Sequence, residues 1–389
     1  MEILLSALVS VFGFGWDGFG LYQPGVEFAR ELDELSRDAA CDGRPHPEGP
    51  RQKVLTAHCE KVRATMDKWK AEWFGRANIF FRELVPNDLP NEVVYPFGGA
   101  DLLNALVVYP DKPVITIMAL EPGGDPRSFA ALDKGALDRG LKLVRRHFDF
   151  LMRLQFSQTV DLDELVKGPL AGVLIYDLAA LTVLGYEPLS LRYFRLGPNG
   201  GRVYLRHADV AAIDAQAKKL TGARRHKFLS ESFGNFELRF RKRTPEGNAP
   251  VQTFRHLSCD LGDAALRADP RVMLHLESKG RVAAMTKAAS NLLWWTPFSR
   301  IRGYLMTNMN WMVSDSSGLA ASDLDPTLWI QETWGTFDGP PFPSPDARGE
   351  AQVKLWEKNP QRPLSFYFGY HSKGGHAHLM VTRRRPIAP

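Results

Sequence analysis

The stretch LSLRYFRLGPNGGRVYLRH, Leu189–His207, decides the fold. Two alternating runs, Leu189–Leu196 and Arg202–His207, flank Gly197-Pro198-Asn199-Gly200-Gly201, and alternation around such a turn signals an antiparallel hairpin. Phe236–Arg243 and Val251–Leu257 alternate in the same way. Residues 188–260 therefore read as a β-rich middle section. On its N-terminal side the pattern is helical. A helix around Val26–Ala39 and a Pro/Gly-rich break at Gly43–Pro50 lead into a long helix carrying Leu55, Cys59, Val62, Met66, Trp69 and Trp73 on one face. Two helices packed antiparallel are expected there.

A short strand at Val93–Phe97 follows, then a helix or loop from Asp101, and the run Val114–Leu120 has the apolar density of an interior strand. An amphipathic helix with Leu137, Leu141, Val144, Phe148 and Leu151 inward, and a buried helix at roughly 162–184, complete the first half. After Pro270 the pattern is helical to about Met309, and Ser365–Tyr370 and His376–Thr382 are strand-like. Blocks of helix and strand, rather than their alternation, predict an α+β fold: a mixed or antiparallel sheet with helices before and after the β-rich middle third. Residues 24–389 read as one domain, because the strands near residue 114 and after residue 365 lack enough local neighbours.

The chain has 389 residues, 44% of them hydrophobic, which suffices for a large core and excludes disordered, collagen-like and disulfide-scaffold classes. A net charge of +5 is mild at this length. Much of the excess lies between Lys218 and Arg243, where Arg239, Arg241 and Arg243 alternate with Leu238 and Phe240 as on the solvent face of an exposed strand. An anionic-polymer or nucleic-acid patch is the third reading of this segment, and no nucleic-acid motif accompanies it.

Residues 1–23 form an apolar and Gly-rich segment. The run Ile3–Phe12 has the character of a signal-peptide hydrophobic region, but Glu2 stands where a positive charge belongs and the run is too short for a bilayer. A cropped export signal and a buried N-terminal segment fit it equally, and no other stretch reads as a membrane span. Gly13, Gly15 and Gly18 spell G-x-G-x-x-G, but the chain continues as a loop where a dinucleotide site needs a helix, so no cofactor is expected. Cys41 and Cys59 close a short disulfide loop if the chain is exported; the position of Cys59 on an apolar helix face favours a buried thiol instead. Cys259 remains single.

Chemistry-bearing motifs are few. There is no G-x-S-x-G, H-E-x-x-H or phosphate loop. His371, His376 and His378 lack the carboxylate or cysteine company of a metal centre, so no metal is expected. Three carboxylates stand out because each follows an apolar strand-like run: Asp101 after Val93–Gly99, Glu121 after Val114–Leu120, and Asp315 after Trp311–Val313. Carboxylates at strand ends beside glycines suit acid/base work in a cleft, but capping and turn formation are the commoner use of any single one. Asp101 in particular is placed to cap a helix starting at Leu102.

The segments Tyr95-Pro96-Phe97-Gly98-Gly99-Ala100-Asp101 and Leu120-Glu121-Pro122-Gly123-Gly124, with Lys287–Leu293, Phe298–Arg302, Asp315–Gly318 and Phe368–Tyr370 in the same order downstream, resemble the Y-P-F-S-G-P-D, L-E-P-V-G, K-S-A-S-Y-L-M, F-S-x-I-R, D-D-S-G-I-P and G-Y-N segments of a family of bacterial proteins that often carry export or lipoprotein signals and have no established activity. Gly99-Ala100, Ser314-Asp315 and His371 depart from that pattern. The resemblance implies a periplasmic or extracellular protein, with the cytoplasm as the alternative, and makes Tyr95, Asp101, Glu121, Asp315 and Ser317 the shared polar positions. The leading expectation is a hydrolase of a cell-envelope or extracellular polymer, with Asp101, Glu121 and Asp315 catalytic and Tyr95, Ser317 and Arg300 binding substrate in a cleft. The alternative is a non-catalytic envelope binding or scaffold protein.

Overall fold

The computed structural model describes residues 25–156, 168, 170, 172–341, 347–360 and 362–386. The apolar N-terminal run and its three glycines lie outside the described residues, as does part of the helix expected at 162–184. Ten strands form one mixed sheet: β1 Glu92–Pro96, β2 Val114–Ala119, β3 Tyr186–Leu196, β4 Arg202–Tyr204, β5 Asn235–Lys242, β6 Val251–Ser258, β7 Val282–Thr286, β8 Met309–Ser314, β9 Trp329–Gly335 and β10 His378–Arg384. Their order is β4-β3-β5-β6-β2-β1-β7-β8-β10-β9. With helices before, between and after these strands, the fold is α+β around a mixed sheet.

The predicted hairpin is β3–β4, paired antiparallel from Phe194 with Tyr204 to Leu196 with Arg202. Its turn is closed by the Gly197 amide donating to the Gly201 carbonyl at 2.8 Å. Gly200 is required there: its φ is +75°, and a Cβ would sit 2.4 Å from the His275 backbone nitrogen. β5 joins β3 and β6 antiparallel, and β10 joins β8 and β9 antiparallel. Between these flanks, β6, β2, β1, β7 and β8 run parallel. The sheet is mixed, as expected; its parallel centre is not marked in the sequence, because β7 falls inside a stretch that reads as helical.

Both faces of the centre are covered, as parallel sheets require. Val93, Tyr95, Ile115, Ile117, Ala283, Met285 and Val313 belong to one core with helices Leu102–Val108, Lys134–Leu154 and Leu174–Leu184. Val94, Met118, Leu257, Val282, Ala284 and Met312 belong to the other, with helices Asp263–Ala268, Arg271–Glu277 and Ser299–Asn308. The connection from β1 to β2 thus crosses on one face and that from β7 to β8 on the opposite face. Since β1 and β7 are neighbours, the chain leaves their carboxyl ends in opposite directions. That is a topological switch point, where open sheets with a parallel centre hold their ligands.

Three expectations need correction. The helical stripe from Leu55 to Trp73 is buried as predicted, but Cys59 is bonded to Cys41 and is not a free thiol. Cys41, with a φ of +61°, turns the chain after helix Ala29–Asp38 back onto that face, a tertiary return that spacing does not encode. The long helix, Gln52–Trp69 continued through a π turn at Lys70–Phe74 into Gly75–Leu84, takes Lys134–Leu154 as its main partner, while Ala29–Asp38 packs on β3 and Leu174–Leu184. Ser365–Tyr370 has the alternation of a strand, with Phe366 and Phe368 buried, but no ladder partner among the described residues. Its rings pack on the Trp73, Phe80 and Phe81 side chains of the long helix instead.

Candidate functional site at the switch point

β1 ends because Phe97 and Gly99 adopt left-handed backbone, with φ of +59° and +58°. Between them, a Cβ on Gly98 would lie 2.6 Å from Ile117 Cγ2, so the loop presses directly on β2. It delivers Asp101 to the start of helix Leu102–Val108, where Oδ1 accepts from the Asn104 amide at 3.4 Å and from Asn104 Nδ2 at 2.7 Å. The other oxygen, Oδ2, accepts from Tyr95 Oη at 3.0 Å and from Lys287 Nζ at 2.8 Å. Lys287 is the first residue after β7, and its ammonium also donates to the Gln155 carbonyl and lies 5.0 Å from the centre of the Phe368 ring. Asp101 and Lys287 are each 1% exposed.

Enclosure governs the charge states. Burial pulls the Lys287 ammonium below its ordinary pKa, while Asp101 and, less strongly, Asp315 pull it back. Burial, with the charge of Asp101, holds Tyr95 well above the usual phenol range, so it acts as a neutral donor. Asp177, fully buried beside the Leu102 amide, is raised well above the carboxylate range by desolvation and then by Asp101.

Asp315 follows β8 and ties three segments together. Oδ2 accepts from the backbone amides of Ala288 and Tyr370, each at 2.9 Å. Oδ1 accepts from the Ser317 amide at 2.8 Å and from the Ser317 hydroxyl. Ala288 is left-handed, φ +53°, so this carboxylate stabilises a strained non-glycine turn directly after Lys287. Gly369, φ +79°, is held so close that a Cβ would stand 2.1 Å from Asp315 Oδ2. Beside it, His378 Nε2 lies 2.9 Å from Ser316 Oγ, and burial lowers the His378 pKa.

Tyr95, Asp101, Asp315 and Ser317 are therefore brought into one buried network through Lys287 and Ala288. Glu121 is not among the groups acting on Lys287. It follows β2, is 6% exposed, and its carbonyl accepts from His256 Nε2 at 2.7 Å. It lines a separate cavity of about 100 Å³ over the carboxyl ends of β1, β2 and β6, walled by Phe97, Leu120, Leu261, Leu292 and Phe298. The Cys259 thiol at its edge is pushed up to about 12 by burial. Arg300 stands exposed at the start of helix Ser299–Asn308, its amide held by Asp263 Oδ1 at 2.9 Å, and takes no part in the network.

Lys287, Asn104 and Asp177 are the members whose roles the sequence did not reveal. A lysine directly after Val282-Ala283-Ala284-Met285-Thr286 was the available signal, hidden while that run was read as helix. The basic segment divides between two helices and β5: Lys227 faces Glu231 at 3.8 Å, Arg241 pairs with Glu187, and Lys242 lies 4.5 Å over the Tyr186 ring. Among the described residues, the one grouping of metal-ligand type is Cys41, His58 and Cys59, whose thiols are spent in the disulfide, and no helix is long and apolar enough to cross a membrane. Comparison with family models, with curated proteins and with solved structures finds no match for this chain.

Proposed function

We propose that the protein is a binding protein of an oxidising, extracytoplasmic compartment, and that it takes a small ligand with an apolar group into the cavity at the switch point. The observation that carries this reading is the division of labour there. Asp101 and Asp315 spend their oxygens on Asn104, Tyr95, Lys287, Ser317 and the amides of Ala288 and Tyr370, whereas the cavity beside them is walled mainly by apolar side chains, with Glu121 and Asp260 also lining it. Phe97 and Ala288, both left-handed, belong to the two loops that bound it, and strain of this kind collects at ligand sites. On this reading Asp101, Lys287 and Asp315 set the loops, and the ligand meets the cavity. The Cys41–Cys59 bond and the resemblance to exported bacterial proteins support the compartment.

The test is thermal unfolding of the purified protein with benzylamine, benzyl alcohol or benzoate as probes. A ligand that binds only the folded state raises the midpoint with concentration. Saturable stabilisation by at least one probe, abolished by Ala289→Leu, which fills the cavity, is the expected result. No stabilisation, or stabilisation that survives the filled cavity, overturns it. The polymer-hydrolase reading makes the opposite demand of the carboxylates: folded Asp101→Asn, Glu121→Gln and Asp315→Asn variants must lose turnover of a cell-envelope polymer.

A further inference from the structure

A second cavity lies elsewhere, against the outer side of the first core. It measures about 380 Å³, within the range of small-molecule sites, and sits between the long helix, helix Lys134–Leu154 and the extended segment around Ser365. The long helix lines it across the five-residue π turn Lys70–Phe74, a helix defect that recurs at functional sites. At its base Gln155 is left-handed, φ +62°, and its carbonyl is the one held by Lys287.

The lining chemistry is mixed in a particular way. Lys68 and Arg153 offer donors, while Glu72 and Asp149 offer acceptors; a third cation, Arg76, already donates to the Ser365 and Glu72 carbonyls. Arg153 and Asp149 stand only 4.0 Å apart, at the outer limit of an ion pair, with both side chains well exposed. Among the described residues, no side chain hydrogen-bonds or pairs with the Glu72 carboxylate or the Lys68 ammonium. Tyr367 adds an aromatic surface: it is 41% exposed and backed by the His371 ring, stacked at 4.1 Å with 17° between planes. Trp73 sets this segment in place, its indole N–H donating to the Tyr367 carbonyl at 2.7 Å.

Each hydroxyl both donates and accepts, so interspersed carboxylates and cations suit a polyhydroxyl ligand better than an anion or a cation. An aromatic ring held open at the same cavity suits the C–H face of a sugar ring. We propose that this cavity is a saccharide-binding site for one or two sugar rings, distinct from the switch-point cavity and independent of what binds there.

The experiment is calorimetric titration of the full chain with cellobiose, N,N′-diacetylchitobiose and lactose, with Tyr367→Ala, Glu72→Ala and Ala289→Leu as variants. The expected result is saturable binding of at least one of these probes, weakened about tenfold by Tyr367→Ala through loss of one ring contact. Glu72→Ala also weakens it, and Ala289→Leu leaves it unchanged. Near-native circular dichroism of the exposed-site variants separates lost binding from lost fold. Absence of saturable binding to all three sugars, or equal binding by the wild type and Tyr367→Ala, overturns the proposal.

Discussion

The neighbouring strands β1 and β7 are tied at both ends by a lysine and a carboxylate, and the two ties differ in kind. At the amino ends, Glu92 opens β1 and Lys279 precedes β7; Lys279 donates to Glu92 and to Thr116 Oγ1, the latter at 3.2 Å. Thr116 also donates to Glu92 at 2.9 Å, and Arg255 stands 3.8 Å from the same carboxylate. Arg255 passes the chain of charges on to Glu237, which meets Arg192 at 2.9 Å. The Glu92 side chain is 18% exposed, against 1% for Asp101 at the carboxyl ends. One tie is a distributed network that reaches water; the other is a sealed pair with a fixed partner list. In the first, the loss of one member leaves others to share its charge. In the second, nothing replaces it.

Lys287→Met is the sharpest way to break this contrast. It strands the Asp101 charge in a dry site, and removing one member of a buried pair costs about 3–5 kcal/mol. Urea unfolding measures it. Lys287→Met combined with Asp101→Asn removes both charges, keeps an oxygen for Asn104 and offers an N–H₂ to the Tyr95 hydroxyl, and is expected to recover most of that loss. A single variant that loses less than about 1 kcal/mol, the typical worth of an exposed pair, means that water reaches Asp101 and the two ends are alike.

Asp315→Asn comes next. The amide keeps one accepting oxygen but turns an N–H₂ toward donors: either the Ala288 and Tyr370 amides or the Ser317 pair loses its acceptor. Unsatisfied buried groups of this kind cost about 1–3 kcal/mol each. Because Ala288 is strained, the expected structural consequence is local, and protease sensitivity between Lys287 and Leu293 is the companion measurement. At the other end, Lys279→Met leaves Glu92 with Arg255 and Thr116 and is expected to cost about 1 kcal/mol, the scale of a partly wet pair.

The sequence discloses one side of these ties better than the other. Asp101 was placed both as a helix cap and as a candidate polar group, and it fills the cap while holding Lys287. Asp315 was marked by its position after an apolar run, and its turn with Ser317 is the Asx geometry that an Asp-x-Ser segment favours. The partner lysines were opaque. Lys287 follows Val-Ala-Ala-Met-Thr, whose alanines and methionine suit a helix as well as a strand, so its position at a strand end became visible only once β7 was paired. The hairpin at Gly197–Gly201 was legible because its turn chemistry is local. The parallel centre was not, since strands β6, β2, β1, β7 and β8 meet across long connections. For the same reason the cavity over β1, β2 and β6 and the Cys41–Cys59 bond depend on returns of the chain that no window of residues contains.

The comparison sharpens further through pH. Burial lowers the Lys279 pKa from 10.5 to about 8, even though Glu92 opposes the shift; Arg255 and Arg202 add to it. Between these values the unfolded chain holds a proton that the folded chain has released, so folding stability rises with pH across that window. Glu92, lowered chiefly by Lys279 against its own desolvation, acts elsewhere: its contribution is present above the ordinary carboxylate range and is lost as pH falls through it. Two other kinds of group work against Lys279 in alkali. Cys259 and the buried tyrosines keep their protons in the fold while the unfolded chain loses them, so they lower stability as pH rises. The difference between wild type and Lys279→Met cancels these terms, because both chains carry them. That difference is expected to widen from about pH 8 to about pH 10.5, read by urea midpoints at each pH. A difference that narrows over the same range means that the Glu92 charge outweighs burial at Lys279, the reverse of the balance at Lys287.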